Sequence, residues 1–286
     1  MFRFVNNLKT TMLLALLMSV FMIAGNAFFP GGRGLVIALI LGGGMNIIVY
    51  FFSDKIALTS MRSQQVTEKE TPQLIRMVED LSAKAFLPTP RVYICPQDSP
   101  NAFATGRNPN NAAVAVTKGI LEMLDTNELR GVIGHELAHI KHRDILISSV
   151  AATIAGAISA LGYMLWFIPI GGDRRSGNPL PAIAMIILAP IAAALIQMAI
   201  SRKREFNADH YGAELSGDPM YLATALEKLH LLGRRRPMKV AMDSQKSMFI
   251  VAPFSGKDAM DLFNTHPSLK KRLTALIGQE TTGLVR

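Results

Sequence analysis

Four apolar runs, each free of charged residues, constrain this chain more than anything else in it: roughly Thr11 to Phe29, Leu35 to Phe52, Ile145 to Gly171 and Pro181 to Ile200. Each is near the ~20 residues that carry a helix across a hydrocarbon core, and a helix satisfies every backbone N–H and C=O within its own segment there. The runs therefore predict four membrane-spanning helices. A mean hydropathy of +0.27 over 286 residues, half of them hydrophobic, fits several spans joined to a polar portion. Tyr163 and Trp166 lie near the far end of the third run, where aromatic rings favour the interface.

Arg3 and Lys9 before the first run, and Gly25-Asn26-Ala27 after it, also have the layout of a secretory signal. The apolar core is long for one, so an uncleaved span is expected. Lysines and arginines set the orientation. Arg3, Lys9, Lys55, Arg62, Lys141, Arg143, Arg202, Lys203 and Arg204 all fall on one side of the four spans, which the positive-inside rule makes cytoplasmic. Arg33, and Arg174 with Arg175 beside Asp173, are the weaker opposing charges.

The lone Cys95 can form no disulfide within the chain, as a reducing compartment requires, and reads as a buried strand residue. The formal charge of +9 is partly this positive-inside excess and partly Arg234, Arg235 and Arg236. No aromatic interleaving or nucleic-acid motif surrounds that triplet. Contact with the anionic headgroups of a lipid bilayer is expected, and no nucleic acid.

The chemistry is concentrated in His135-Glu136-Leu137-Ala138-His139, an H-E-x-x-H sequence in a stretch of helical character. Histidines four apart on a helix present both imidazoles from one face to a single tetrahedral ion, with Glu136 beside them toward a water. That arrangement implies zinc-assisted peptide hydrolysis, with one Zn2+ per chain. The bland alternative is a surface helix that happens to carry these residues. Asp125 and Glu128, at capping-box spacing, predict the start of this helix at 125 or 126, and it should run through Arg143.

Around the motif the segments read as follows. Residues 1–53 form the first pair of membrane helices, and 54–144 a cytoplasmic part with the motif helix. Residues 145–200 form the second transmembrane hairpin, and 201–286 a second cytoplasmic part. Thr71-Pro72 opens a helix that Leu87-Pro88 ends, while Arg91 to Cys95 and Ala112 to Thr117 look like short strands. The segment after Ser201 is mainly helical by pattern, with an irregular stretch from Gly233 to Pro253. The fold class is thus an α+β membrane protein: four transmembrane helices with a mostly helical cytoplasmic metalloprotease domain of zincin type, carrying a small β-sheet.

A third ligand follows from heights. His139 lies six residues before Ile145, and Glu205 five after Ile200. If the third and fourth runs form an antiparallel hairpin, both ligands sit ~8 to 9 Å beyond the apolar boundary. Asp209, one turn after Glu205, can accept the free ring N–H of a ligand histidine. Glu214 with Asp218 repeats the spacing, but would lie ~21 Å past the boundary. His142 is too far along the helix to converge with His135 and His139, and His210 and His230 read as helix-surface histidines.

With those residues assembled, the chain resembles the membrane-bound gluzincin peptidases, and its size and four spans are most similar to the bacterial HtpX family of zinc metalloproteases. The resemblance covers nearly the whole chain. It implies that His135, His139 and Glu205 bind zinc, that Glu136 is the general base and that Asp209 supports the ligands. Asn101-Ala102-Phe103-Ala104 resembles the family's substrate-side edge strand, where an extended peptide can pair. Thr265-His266-Pro267, with Arg272 six residues after the histidine, resembles the motif that assists the transition state.

The resemblance further implies a zinc metalloendopeptidase in a bacterial cytoplasmic (inner) membrane, multi-pass, with its site facing the cytoplasm. Its partners would be polypeptide substrates, chiefly damaged or misfolded membrane proteins, in quality control and stress response. Two other readings stay open: a four-span binding, channel or scaffold protein with an incidental zinc site, and a dedicated processor of one peptide.

Overall fold

The computed structural model describes residues 2–28, 32–151, 153–154, 202–233 and 267–284. Two long helices open the chain, α1 (Phe2–Phe28) and α2 (Arg33–Ser60). They pack through faces of helical period: Asn6, Thr10, Leu13 and Leu17 on α1, and Ala38, Gly42, Val49 and Ser53 on α2. Gly42 permits the close approach, because a Cβ there would stand 2.6 Å from Met18 Sδ. Asn46 Nδ2 crosses to donate to the Leu14 carbonyl at 3.2 Å.

The rest of α2 is apolar and open. Val36, Ile40 and Ile47 are each more than half exposed, which suits lipid and not water. Among the described residues α2 is the helix long and apolar enough to cross a membrane, with a mean hydropathy of 2.3 over its best window. The third apolar run is helical at 145–151 and 153–154, and its Ile147, Val150, Ala151 and Ile154 pack on Leu13, Leu17 and Val49. The remainder of that run, and the whole fourth, lie outside the described residues.

A mixed four-stranded sheet follows, ordered β1 (Gln64–Gln65), β2 (Arg91–Cys95), β4 (Ala112–Thr117), β3 (Ala102–Gly106). The β2–β4 pair is parallel and the two outer pairs are antiparallel. Both strands expected from sequence coincide with β2 and β4. Between β1 and β2, α3 (Pro72–Lys84) ends three residues short of the expected Leu87. Phe86 takes φ +53°, its N–H bonds to the Ala83 carbonyl and that of Leu87 to the Ser82 carbonyl, so the turn closes on itself.

After α4 (Lys118–Met123), the motif helix α5 (Thr126–His142) starts on the expected capping box. Asp125 accepts from the N–H groups of Asn127 and Glu128, and Glu128 Oε2 accepts from the Asp125 N–H at 3.0 Å. The helix stops one residue before the expected Arg143, which adopts φ +60°. The second polar segment supplies α6 (Arg202–Ser216), α7 (Pro219–Gly233) and α8 (Leu269–Ile277). Of the irregular stretch expected from Gly233 to Pro253, Gly233 ends α7 and the rest lies outside the described residues, as does the chain on to 266. The main core joins α3, α5, α7 and the sheet through Leu81, Val114, Ile133, Leu137, Leu222 and Leu226. It surrounds α5 and leaves one face of that helix for α6.

Candidate metal centre

Helices α5 and α6 touch backbone to backbone, and this contact assembles the site. A Cβ on Gly134 would stand 2.7 Å from the Gly212 carbonyl oxygen, and one on Gly212 would stand 2.6 Å from the His135 nitrogen. Glu205, Asp209 and Gly212 recur at i, i+4 and i+7, so they lie along the face of α6 that meets His135. Gly212→Ala is expected to force the helices apart, costing about 1–3 kcal/mol in stability. Thermal unfolding, with zinc content measured alongside, checks it; an unchanged melting temperature and a full complement of metal would contradict the role of this contact.

Within the site, His135 Nε2 and His139 Nε2 are 3.1 Å apart, with the rings nearly perpendicular. Glu205 reaches both, Oε2 lying 3.9 Å from His135 Nε2 and Oε1 3.7 Å from His139 Nε2. One ligand atom from each of the three residues lies within 4.8 Å of the others. Tetrahedral ligands at ~2.0–2.1 Å from zinc are ~3.3 Å from one another, so small adjustments would close this triangle on one ion. Two ring lone pairs aimed at each other in a buried place need a cation or a proton between them. The donor set therefore fits a divalent metal.

Each imidazole is gripped from behind by a carboxylate. His135 Nδ1 is 2.9 Å from Asp209 Oδ1, an approach off the line of the ring N–H, and His139 Nδ1 is 3.2 Å from Asp144 Oδ2. Such partners fix the tautomer that leaves Nε2 free for metal. Arg272 in turn holds Asp209 with two bonds, Nε to Oδ2 at 2.8 Å and Nη2 to Oδ1 at 2.5 Å, both side chains fully buried. Burial opposes ionisation of Asp209, but the Arg272 guanidinium outweighs it and holds the carboxyl below its ordinary range.

Asp144 had no role in the reading of the sequence. The turn ending α5 brings it back: its N–H bonds to the His139 carbonyl at 2.9 Å, leaving the carboxylate beside the same residue's ring. Oδ1 of Asp144 accepts from Asn6 Nδ2 at 2.8 Å, and Arg204 Nη1 donates to Asn6 Oδ1 at 3.3 Å. The first helix of the chain thus reaches a residue that holds a histidine of the site. A five-residue separation across a non-glycine left-handed turn carries no sequence signal, which is why this partner was missed.

The surroundings displace the two histidines in opposite directions in the metal-free protein. Burial pushes His135 down to about 4, against the pull of Asp209. Burial also opposes the charge on His139, but the Asp144 hydrogen bond and the nearby Glu205 and Glu136 carboxylates overcome it and raise His139 to about 9. His139 then carries a proton at pH 8, and a metal must displace it. Zinc uptake at pH 8 is expected to release about one proton from His139 and about one more from a zinc-bound water of pKa ~7, and apparent affinity to rise with pH until His139 is deprotonated. Calorimetry in buffers of different ionisation enthalpy measures this; release of one proton or fewer would contradict the assignment of the charge to His139.

Glu136 is buried beside the histidines, with the Ala104 backbone N–H facing its carboxylate. Burial, with the Glu205 charge, raises it to about 7 against the opposing pull of His139. Ala104 belongs to β3, the edge strand next to α5. Thr117 N–H donates to the Asn101 carbonyl at 2.9 Å, so residues 101, 103 and 105 turn their polar groups to β4 while 102, 104 and 106 turn theirs outward. Asn101 itself precedes the strand.

The rival residues stand elsewhere. Glu214 is exposed, Asp218 accepts from the Met220 N–H at the start of α7, and His210 is on the surface. His142 lies against the Tyr211 ring, 5.6 Å between centroids, and is not part of the triangle. His266 lies outside the described residues.

Comparison with known proteins places this geometry. The family model described as peptidase family M48 matches residues 68–280. A protein named protease HtpX homolog from Paraburkholderia phytofirmans is 50% identical over 281 residues, 97% of this chain and 98% of its own length. One of the same name from Burkholderia mallei is 49% identical over 283 residues, again 97% and 98%. Among solved structures, that of Ste24p from S. mikatae aligns with a TM-score of 0.50 at 17% identity, covering 96% of this chain. This chain spans 66% of that one, a likeness of fold alone. The chain belongs to peptidase family M48 and is a metalloprotease of the HtpX kind.

Proposed function

We propose that this chain is a zinc-dependent endopeptidase of the bacterial inner membrane, which cleaves misfolded or damaged membrane proteins at the cytoplasmic face as part of quality control under stress. The observation that carries the chemistry is the triangle of His135, His139 and Glu205 with Glu136 and the outward edge of β3 beside it. Zinc held by these three residues would acidify a water toward a pKa of ~7 and polarise the scissile carbonyl.

Glu136, poised near neutrality, takes the proton of the attacking water and delivers it to the leaving amine. Asp209 and Asp144 keep the two imidazoles in the tautomer with Nε2 free, and Arg272 keeps Asp209 in place. An extended substrate adds as a further strand on β3, where the outward N–H and C=O groups of Ala102, Ala104 and Gly106 fix its register. The Ala104 N–H that faces Glu136 lies on that same edge, so substrate backbone is brought to the base. His266 donates to the developing oxyanion; that role rests on the Thr265-His266-Pro267 resemblance alone.

The substrate class rests on position. The motif helix ends at His142, immediately before the apolar run that packs on α1 and α2, so the site lies within about two helical turns of the bilayer and is flanked by charged residues. It suits polar segments emerging from the membrane. Purified protein in detergent should cut a misassembled membrane protein in its extramembrane segments, and a chelator should stop it. Cleavage confined to membrane spans, or unaffected by the chelator, would overturn the reading.

A further inference from the structure

A cavity of about 600 Å³ opens where α2 leaves its apolar run, walled by residues 51–55 of that helix, the start of β2 and the loop that follows β3. Phe51 and Phe52 meet Lys55, Arg91 and Arg107 there. Lys55 Nζ stands 5.1 Å from the Phe52 ring centroid, and the Arg107 guanidinium carbon 5.3 Å from that of Phe51. Arg91 is matched by Asp54, Nη2 to Oδ2 at 3.2 Å. Among the described residues Lys55 and Arg107 have no carboxylate within ion-pair distance; Arg107 reaches only the neutral Asn111 Oδ1, at 3.4 Å. Two positive charges are therefore held over aromatic faces in one concavity without an anion to neutralise them.

The cavity's depth indicates what that anion is. Phe52 is the last residue of the charge-free run and Lys55 is the first cation after it, so on a helix crossing the bilayer these cations sit where hydrocarbon gives way to phosphates. Ile48, Phe51 and Phe52 lie within one turn of each other and are each more than two-fifths exposed, a strip that an acyl chain can follow up the helix. A guanidinium fork with an ammonium beside it matches the oxygens of a phosphate.

We propose that this cavity binds the phosphate of an anionic phospholipid, with the acyl chains laid along Ile48 and Phe51 of α2. The site is separate from the metal centre, and its occupancy depends on α2 spanning the membrane, not on the peptidase chemistry. It would tie the sheet that supplies the substrate edge to the membrane surface, since Arg91 opens β2 and Arg107 follows β3 directly.

The test places the full-length protein in nanodiscs of phosphatidylcholine doped with phosphatidylglycerol and reads the retained lipid by native mass spectrometry. Phosphatidylglycerol should be retained in preference to phosphatidylcholine. Lys55→Ala and Arg107→Gln should each weaken retention roughly fivefold, and together about 25-fold. Arg76→Ala with Lys118→Ala, which removes equal charge from exposed helices elsewhere, should leave retention unchanged. Arg107→Lys, which keeps the charge but not the fork, should fall between the wild type and Arg107→Gln, and the single variants carry the test if the double variant does not fold. Equal retention by the double variant and the wild type would overturn the proposal, as would equal loss in the control pair. Displacement of the lipid by glycerol 3-phosphate at comparable concentration would also overturn it, by showing a site for soluble phosphate esters.

Discussion

Glu205→Ala is expected to leave a folded protein that no longer holds zinc through purification. With the carboxylate gone, two imidazoles remain, and a two-ligand site loses more affinity than the ~10–100-fold that removal of an orienting partner costs. The fold should tolerate the change: Glu205 belongs to a 15-residue helix seated through Gly212, and the Asp209–Arg272 pair beside it is untouched. Metal analysis of purified protein, with zinc titration of the apo form, gives the answer. The exposed Glu214 provides the contrast, and Glu214→Ala should retain wild-type zinc. Full zinc in Glu205→Ala would show that the ion takes its third ligand elsewhere.

Glu136→Gln is expected to separate binding from chemistry. The amide is nearly isosteric, and its oxygen can still face the Ala104 N–H, so the packing around the site survives. It cannot accept a proton from water. Loss of a positioned general base costs ~10² to 10⁴ in rate, so kcat/KM should fall by that factor while zinc stays stoichiometric. Cleavage of casein or of a misassembled membrane protein, measured with metal content on the same sample, separates the two effects. Activity retained with metal bound would remove Glu136 from the mechanism and leave it as a buried acid with a structural task.

Of the two experiments, the first tests where the ion sits and the second what is done beside it. A protein failing the first would hold its ion through a third ligand other than Glu205. One passing the first and failing the second would be a metal-binding protein whose hydrolytic base is another residue. Membership of peptidase family M48 makes the joint outcome, zinc lost in one variant and cleavage lost in the other, the expected one.

Local periodicity made much of the site legible. His135 and His139 are one turn apart whatever else the chain does, Asp125 with Glu128 fixes where their helix begins, and Glu205 and Asp209 share a helical face by spacing alone. The strands β2 and β4 could be read from short runs of β-branched and small residues. The expected ends of α3 and α5 were less secure. Each stops at a left-handed turn made by a residue that is not glycine, Phe86 or Arg143, and sequence offers no marker for that.

By itself, then, the sequence determined the types of the candidate ligands, their spacing along each helix and the lengths of the apolar runs. All of these depend on intervals of a few residues, which a helix converts directly into geometry. Only the tertiary structure decided that Gly134 and Gly212 bring two backbones into contact so that Glu205 faces the histidines, and that Arg272 locks Asp209. It also decided that Asn6 of the first helix reaches Asp144 behind His139. Those contacts join residues tens to more than a hundred positions apart, and a close approach of that kind depends on the shape of everything packed between them, which no local pattern encodes.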